Sequence, residues 1–514
     1  MKFQFLKKTG FLSASALAFS AIYGQQASKP NIVLIYADDI GFGDLSCYGA
    51  TRVQTPNTDA LANSGIRFTN AHSAAATSTP SRYGLFTGEY PWRRNGTGIA
   101  TGDAALIIKP HRYTLPKMLR QAGYTTGAVG KWHLGLGEET GTQNWNRRVA
   151  PGPKEIGFDY SYIMAATGDR VPCVYMENQR VVNLDPSDPI QVSYSKNFEG
   201  EPTGKENPEL LTKLKPSPNH GHDQSIVNGI SRIGYMKGGK SALWEDENIA
   251  DSITLRAVRF IEKNKDKPFF LYFGTNDVHV PRYPHQRFRG KTDMGHRGDA
   301  IVQFDWSVGQ VVRALKEAGV YENTLIIVSS DNGPVVDDGY ADQAVAKLKN
   351  HKPWGPFRGG KYSTFEAGTR VPFIIHWAGK VEQQTSSALI SQIDMLATLA
   401  HLIQTKTPAE ISLDSQNQLP AWLGKDKKGR DYIIGAGNSL TVSTREWKYI
   451  EPNNANPYNA LTNIELGNNP EEQLYNMLFD RGEYDNVAKE NPQIVKTLKS
   501  ILEKEKKKGI SLDL

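Results

Sequence analysis

Asn31-Ile32-Val33-Leu34-Ile35-Tyr36-Ala37-Asp38-Asp39 is an apolar run closed abruptly by two carboxylates. A run this short, rich in β-branched and aromatic residues, reads as a strand buried on both faces. The same form recurs in YTTGAVGKWH from Tyr124, PFFLYFGTNDVH from Pro268 and TLIIVSSDNG from Thr324, and each run ends in polar residues. Between them lie helical patterns: Ile301, Phe304, Val308, Val311, Val312 and Leu315 recur every three to four residues and share one helix face. Strands alternating with helices imply an α/β fold with a mostly parallel sheet covered on both sides. In such sheets ligands bind beyond the carboxyl ends of the strands, so four strand ends are expected to meet at one site.

Two other tracts depart from this pattern. Residues 137 to 239 are rich in Pro, Gly, Asn and aromatics with weak periodicity, and are expected to form long insertions that shape a pocket. Beyond Pro408 the pattern shifts to short strand-like pieces, DYIIGAG and REWKYIEP, and a charged helix from Pro492 to Lys508. The expected division is a leader over 1–24, a catalytic domain over 25–407 and a small α+β unit over 408–514. The run EKEKKK near the end reads as a solvated helix face.

The leader is a basic start, MKFQFLKK, followed by the apolar and small-residue stretch GFLSASALAFSAIYG. That is the form of a cleaved secretory signal peptide, and its uncharged run of about 15 residues is short of the roughly 20 a spanning helix needs. A periplasmic or secreted protein with no stable membrane insertion is expected. The chain is 514 residues long, 39% hydrophobic and 22% charged, enough for a large globular core. Lys2, Lys7 and Lys8 supply three of the net +6 charges, and what remains argues against nucleic acid as a partner. Cys47 and Cys173 alone make neither a disulfide framework nor a thiolate metal site, and leave open a single bridge between them.

The most specific signal is Ser78-Thr79-Pro80-Ser81-Arg82-Tyr83-Gly84-Leu85-Phe86-Thr87-Gly88. Pro-Ser-Arg alone would be ordinary capping chemistry at a helix start. In company it is more: Asp38-Asp39, Lys131 and His133 in GKWHLG, His279 in NDVHVP, Asp331-Asn332 in SSDNGP, Lys361 in FRGGKYSTFEAGTRVP, and the closing segment LYNMLFDRGEYDNVA. Together and in this order these resemble the formylglycine-dependent sulfatases, bacterial carbohydrate enzymes of the serine type and of the N-acetylgalactosamine-6-sulfatase kind in particular.

The resemblance implies an alkaline-phosphatase-like large domain, with a mixed, mostly parallel sheet between helices, and hydrolysis of sulfate esters. Ser78 would be the precursor of Cα-formylglycine, whose hydrated form offers one hydroxyl to attack sulfur and a second to expel the bound sulfate. One Ca²⁺ is implied on Asp38, Asp39, Asp331 and Asn332 together with the modified Ser78; hard oxygen ligands suit that ion. His133 would be the base for sulfate release and Arg82, one helical turn beyond Ser78, would hold the diol. Lys131 and Lys361 would grip sulfate oxygens, and His279 would bond the sulfate or protonate the leaving alcohol. His220, or its neighbour His222, is a further candidate for the leaving-group acid. Because the residue is serine, maturation would need an anaerobic radical maturase as partner.

Each residue also has a plainer reading: turns for Asp38-Asp39 and Asp331-Asn332, solvated surface positions for both lysines. The segment GDRVPCVYMENQRVVNLD resembles the corresponding loop of those carbohydrate sulfatases, which makes Asp169 and Arg170 candidate sugar-binding residues; an internal ion pair is the alternative. The expected substrate is a glycan carrying 6-O-sulfated galactose or N-acetylgalactosamine. The rival readings are a non-catalytic protein that binds sulfated glycans, and a phosphatase or phosphonate hydrolase of the same superfamily using unmodified serine and two zinc ions.

Overall fold

The computed structural model describes residues 29–407 and 414–509, so the expected signal peptide lies outside the described residues. Ten strands form the main sheet: β1 (Asn31–Ala37), β2 (Ile66–Phe68), β3 (Thr125–Lys131), β4 (Tyr160–Met164), β5 (Tyr175–Glu177), β6 (Arg180–Val181), β7 (Phe269–Gly274), β8 (Thr324–Ser330), β9 (Phe373–His376) and β10 (Gln384–Ser386). Their spatial order is β10-β2-β9-β8-β1-β7-β3-β4-β5-β6. The five central strands, β8 to β4 in that order, all run parallel, and β9 and β5 are antiparallel to their inner neighbours. All seven residues of β1 are buried, which is why its sequence shows no alternation.

Helices cover both faces, as an α/β architecture requires. Three matter here: α1 (Ser78–Thr87), α2 (Ile249–Asn264) and α3 (Gly295–Glu317). On α3 the apolar stripe is as spaced in sequence, with Ile301, Phe304, Val308, Val311 and Leu315 buried and Val312 packed at the margin. Every residue of α1 is buried, so this helix is built into the core rather than laid on it. Gly84 permits that: a Cβ there would come within 2.6 Å of the Ala74 side chain.

A second sheet is antiparallel: β11 (Ile433–Ala436), β12 (Leu440–Ser443), β13 (Trp447–Ile450) and β14 (Gln473–Asn476), in the order β11-β12-β13-β14. Helix α4 (Pro492–Lys507) lays Val495, Leu498 and Leu502 over Ile434, Val442, Tyr449 and Leu474, and the same cluster takes in Tyr90 and Ile393 from the larger part. Trp422 packs instead into the main core, against Phe373. The EKEKKK run is not solvated throughout, because Glu505 is buried and accepts from Arg93 at 2.9 Å and from Tyr432 at 2.5 Å. No described helix is long and apolar enough to cross a membrane. Cys47 and Cys173 are both free thiols.

Candidate active site

The register of the parallel strands builds the site. Ala37 on β1 pairs with Ser330 on β8, so Asp38-Asp39 and Asp331-Asn332 leave the sheet side by side. The Asp39 amide donates to Asp331 Oδ1 at 3.2 Å and the Ile40 amide to Ser330 Oγ at 3.1 Å, which lock the two turns together. Asp39, His133 and Tyr362 all hold positive φ, at 58°, 55° and 74°, a conformation that costs energy in non-glycine residues and is characteristic of functional turns.

Ser78 is the first residue of α1, capped by Thr77 without a side-chain bond, so the helix N-terminus and its free N–H groups face the strand ends. Ser81 pins the entry: its hydroxyl donates to the Ala75 carbonyl at 2.8 Å and accepts from the Ala75 amide at 3.1 Å. Lys131, ending β3, donates to Ser78 Oγ at 2.9 Å, and Ser78 Oγ donates to Asn332 Oδ1 at 3.4 Å. Asn332 Nδ2 in turn donates to Asp39 Oδ1 at 2.7 Å.

Neither lysine is a surface residue. Lys131 is 0% exposed and Lys361 4% exposed. Lys131 Nζ stands 2.6 Å from Asp38 Oδ2 and 3.6 Å from Asp331 Oδ2. Burial draws its pKa below the ordinary lysine value, and Arg82 adds to this while Asp38 and Asp331 resist it. Lys361 Nζ donates to Asp39 Oδ2 at 2.9 Å and to Asp338 Oδ2 at 3.0 Å. Burial works against that charge, yet Asp338 and Asp39 hold its pKa well above the usual lysine range.

Arg82 departs from its expected partner. Its guanidinium donates to Asp331 Oδ2 at 2.8 Å and to the Tyr272 hydroxyl, and lies over the Tyr36 ring at 5.1 Å. With Ser78 unmodified, these contacts brace the carboxylate wall through Asp331.

The carboxylates carry the mark of a cation site. Neither oxygen of buried Asp38 accepts a hydrogen bond, although Lys131 approaches one of them. Burial pushes the Asp38 pKa well above the carboxylate range; Lys131 opposes this, and Asp331 and Asp39 reinforce it. Asp39 shifts the other way: burial disfavours its charge, but Lys361, His279 and Lys131 hold its pKa below the ordinary value. Asp39 and Asp331 have partners for both oxygens, but the two orphaned oxygens of Asp38 beside them leave a place that a cation would fill. Asp38, Asp39 and His279 are, among the described residues, a group whose ligating atoms all lie within 4.8 Å of one another.

Both histidines have a defined tautomer. His133 Nε2 lies 3.0 Å from the Ala100 carbonyl, which can only accept, so Nε2 carries the proton and the partnerless Nδ1 keeps its lone pair. Burial, Lys131 and Arg170 drive its pKa well below the usual histidine value, so it is neutral, with the Nδ1 lone pair unshared. His279 Nδ1 donates to the Val280 carbonyl at 2.7 Å, leaving Nε2 as an acceptor 3.9 Å from Asp39 Oδ2. Burial, Lys361 and Lys131 push its pKa down to about 4. In this state His279 offers a lone pair, suited to a cation or to receiving a proton; donating to sulfate or to a leaving alcohol needs a second proton.

A cleft of about 220 Å³ opens over these groups, lined among others by Ser78, His133, His279 and Lys361. Asp169 and Arg170, from the insertion after β4, form the ion pair of the plainer reading at 3.1 Å, and both line the cleft. His222 Nε2 lies 3.0 Å from Asp169 Oδ2, with its ring edge-on to Tyr340 at 4.9 Å. His220 lines the cleft beside it, with 6.2 Å between ring centroids. Of the two, His222 is the one buried and tied to Asp169.

Several contributors escape sequence reasoning. Asp338 binds Lys361 but sits in GPVVDDGY, where two adjacent aspartates look like a turn. Tyr272 lies mid-strand in an apolar run, and Asn459, Leu461 and Thr462 reach the cleft from the C-terminal region.

The sulfatase family model matches residues 30–405 of the chain. The chain is 53% identical over 482 residues to an N-acetylgalactosamine-6-O-sulfatase of Bacteroides thetaiotaomicron, covering 93% of this chain and 94% of that one. It is 30% identical over 415 residues to human arylsulfatase A, covering 79% and 70%. A solved structure from work on glycosaminoglycan metabolism by Bacteroides thetaiotaomicron superposes with a TM-score of 0.91 at 52% identity, over 94% of this chain and 100% of that one. The structure of Ps i-CgsB in complex with k-i-k-neocarrahexaose gives a TM-score of 0.69 at 26% identity, over 94% of each chain.

Proposed function

As a member of the sulfatase family this chain is a sulfuric ester hydrolase, and we propose that it removes the 6-O-sulfate from N-acetylgalactosamine or galactose units of glycosaminoglycan-type glycans. The observation that carries the chemistry is Ser78 at the N-terminus of buried α1, bonded by Lys131 and facing the Asp38, Asp39, Asp331 and Asn332 oxygens. The sugar assignment is supported by the N-acetylgalactosamine-6-O-sulfatase relative and by the polar Asp169, Arg170 and His222 wall.

Asp38, Asp39, Asp331 and Asn332 would hold a calcium ion, with Ser78 beside them and His279 Nε2 within reach of the same place. When bound, the ion supplies positive charge against the negative sulfate and orients the nucleophile. A formylglycine at position 78, made by an anaerobic maturase, would supply a hydrated aldehyde in place of a weak serine hydroxyl. The chain's own groups do the rest. The ammoniums of Lys131, bonded to Ser78, and of Lys361, lining the same cleft, are both buried and neutralise charge building on the sulfate oxygens in a site where water screens little. His133 Nδ1, kept unprotonated by burial and by the Nε2 bond to Ala100, accepts the proton that must leave position 78 for sulfate to be expelled. The Asp169, Arg170 and His222 cluster orients the sugar, and His220 or His222, both lining the cleft, would give the proton with which the 6-oxygen leaves as an alcohol.

Export of the enzyme to the periplasm or beyond belongs to the same reading, since polymeric sulfated glycans are met outside the cytoplasm and residues 1–24 have the form of a signal peptide. The test is sulfate release by the matured enzyme from N-acetylgalactosamine 6-sulfate, galactose 6-sulfate, N-acetylgalactosamine 4-sulfate and an aryl sulfate. Preference for the 6-sulfated sugars supports the reading, and preference for the 4-sulfate or the aryl ester overturns the sugar assignment.

A further inference from the structure

Ile99 and Leu461 are 46% and 44% exposed, among the few large apolar side chains on the described surface, and both line the mouth of the active-site cleft. The floor below them is polar: Lys361, His133, His279, Asp169 and Arg170. Isolated exposed apolar residues need no explanation, but two at the rim of one polar cleft do.

Each is anchored to the catalytic apparatus. Ile99 precedes Ala100, whose carbonyl accepts from His133 Nε2 at 3.0 Å and whose amide donates to Thr79 Oγ1 at 3.1 Å. Thr79 Oγ1 also donates to the His133 carbonyl at 3.0 Å, so Ile99 is tied both to helix α1 and to the base. Leu461 stands at the tip of a hairpin in which Tyr458 pairs with Glu465 and Asn459 with Ile464. Asn459 Oδ1 accepts the Leu461 amide at 3.1 Å and the Thr462 amide at 3.3 Å, which fixes the tip. The hairpin's exit is bonded to the segment that carries Lys361: Ser363 Oγ donates to the Glu465 carbonyl at 2.6 Å and the Thr364 amide to the Leu466 carbonyl at 2.9 Å.

We propose that Ile99 and Leu461 are specificity-determining residues that pack on the non-sulfated part of the sugar, its ring C–H face or acetamido methyl, once the sulfate is seated on the lysines below. The inference rests on the sulfated-sugar reading of the site. It makes the C-terminal region part of the substrate site, with Leu461 delivered to the same cleft as Ile99 by a hairpin bonded to the Lys361 segment. A sugar presents both hydroxyls and apolar C–H surface; Asp169 and Arg170 meet the first and the two aliphatic side chains the second. Apolar contact of this kind favours the bound sugar in ground state and transition state alike, so its loss appears in KM.

The test is steady-state sulfate release from N-acetylgalactosamine 6-sulfate by the matured full-length enzyme and by its Ile99→Ala, Leu461→Ala and Leu461→Met variants, with competitive inhibition by inorganic sulfate measured alongside. Both alanine variants are expected to raise KM by roughly 5- to 20-fold, with the loss falling in KM rather than kcat. The methionine variant, which restores apolar volume, is expected to recover most of the loss. The inhibition constant of inorganic sulfate, which has no sugar ring, should stay where it is. An unchanged KM in both alanine variants overturns the proposal, and so does sulfate inhibition weakening in step with KM, since that would mark general damage to the anion site. Absence of turnover by the unaltered enzyme on any 6-sulfated sugar would instead bring down the functional reading, and this inference with it.

Discussion

Lys131 Nζ donates to Ser78 Oγ across 2.9 Å. The same ammonium lies 2.6 Å from Asp38, so one buried charge joins the nucleophile position to the carboxylate wall. A Lys131→Met variant is expected to lose at least about 100-fold in kcat, the scale of removing one preorganised charge from a transition state. Lys131→Arg should not restore it, because a planar guanidinium cannot replace a point charge in a fully buried slot. Sulfate release by both variants checks this, and near-normal kcat in the arginine variant would count against the geometry.

Calcium should stabilise the fold. Asp38 has two buried oxygens without hydrogen bonds beside Asp39 and Asp331, and the native state alone assembles them. A ligand at about a hundred times its Kd adds about 2.7 kcal/mol of stability. Thermal melts of the chelator-stripped protein should therefore shift upward when calcium is added beyond the chelator, and the shift should vanish in an Asp38→Asn, Asp331→Asn double variant. Superimposable melts with and without calcium would remove the cation from the account.

Arg82 tests the distinction between holding the nucleophile and holding the wall. It is fully buried and pairs with Asp331 at 2.8 Å. Arg82→Met takes the closest cation from buried Asp331 and leaves Lys131 at 3.6 Å, and breaking a buried pair costs about 3–5 kcal/mol, so chemical denaturation should show a large stability loss along with lost activity. Loss of activity with stability unchanged would put Arg82 back on Ser78.

Stability should also carry a pH signature away from the active site. Glu483 is buried, its Oε2 accepting from the Glu366 amide at 2.6 Å, with Lys448 3.1 Å from Oε1 in poor alignment for a hydrogen bond. Burial pushes its pKa up to about 7; Lys448 opposes this and Glu366 adds to it. The folded state therefore holds this proton more tightly than the unfolded chain, whose glutamate titrates near 4.3. Glu483 contributes stability that is full below about pH 4 and is lost as pH rises through about 7. Glu483→Gln should flatten the stability curve between pH 5 and 7, as read by denaturant melts across that range. An unchanged slope would show that Glu483 titrates normally.

Much of the central sheet was legible because its strands announce themselves: β1, β7 and β8 carry apolar runs, and β3 a run of small and apolar residues, that end in chemistry, and burial on both faces is what makes them so. The strand-end residues could be found for the same reason, since the topology forces Asp38, Lys131, His279 and Asp331 to one edge. What stayed hidden comes from contacts remote in sequence. Nothing around Asp338 or Tyr272 signals a partner, since each meets Lys361 or Arg82 only after folding. Arg82 was placed on Ser78 by helical spacing, but Asp331 and Tyr272 offer a buried guanidinium stronger partners than a hydroxyl one turn away. The Leu461 hairpin was invisible because an exposed leucine in an Asn-rich loop has no periodicity to read.

The central claim is that position 78 becomes the reactive aldehyde of a sulfatase. The direct measurement is mass spectrometry of the peptide containing Ser78, from protein made with an active anaerobic maturase and assayed for sulfate release from N-acetylgalactosamine 6-sulfate. The account predicts a loss of about 2 Da at that residue, a carbonyl that reacts with hydrazide, and activity that scales with the modified fraction. Unmodified serine in a preparation that nonetheless releases sulfate at full rate, or in one whose maturase converts a control sulfatase, would contradict it.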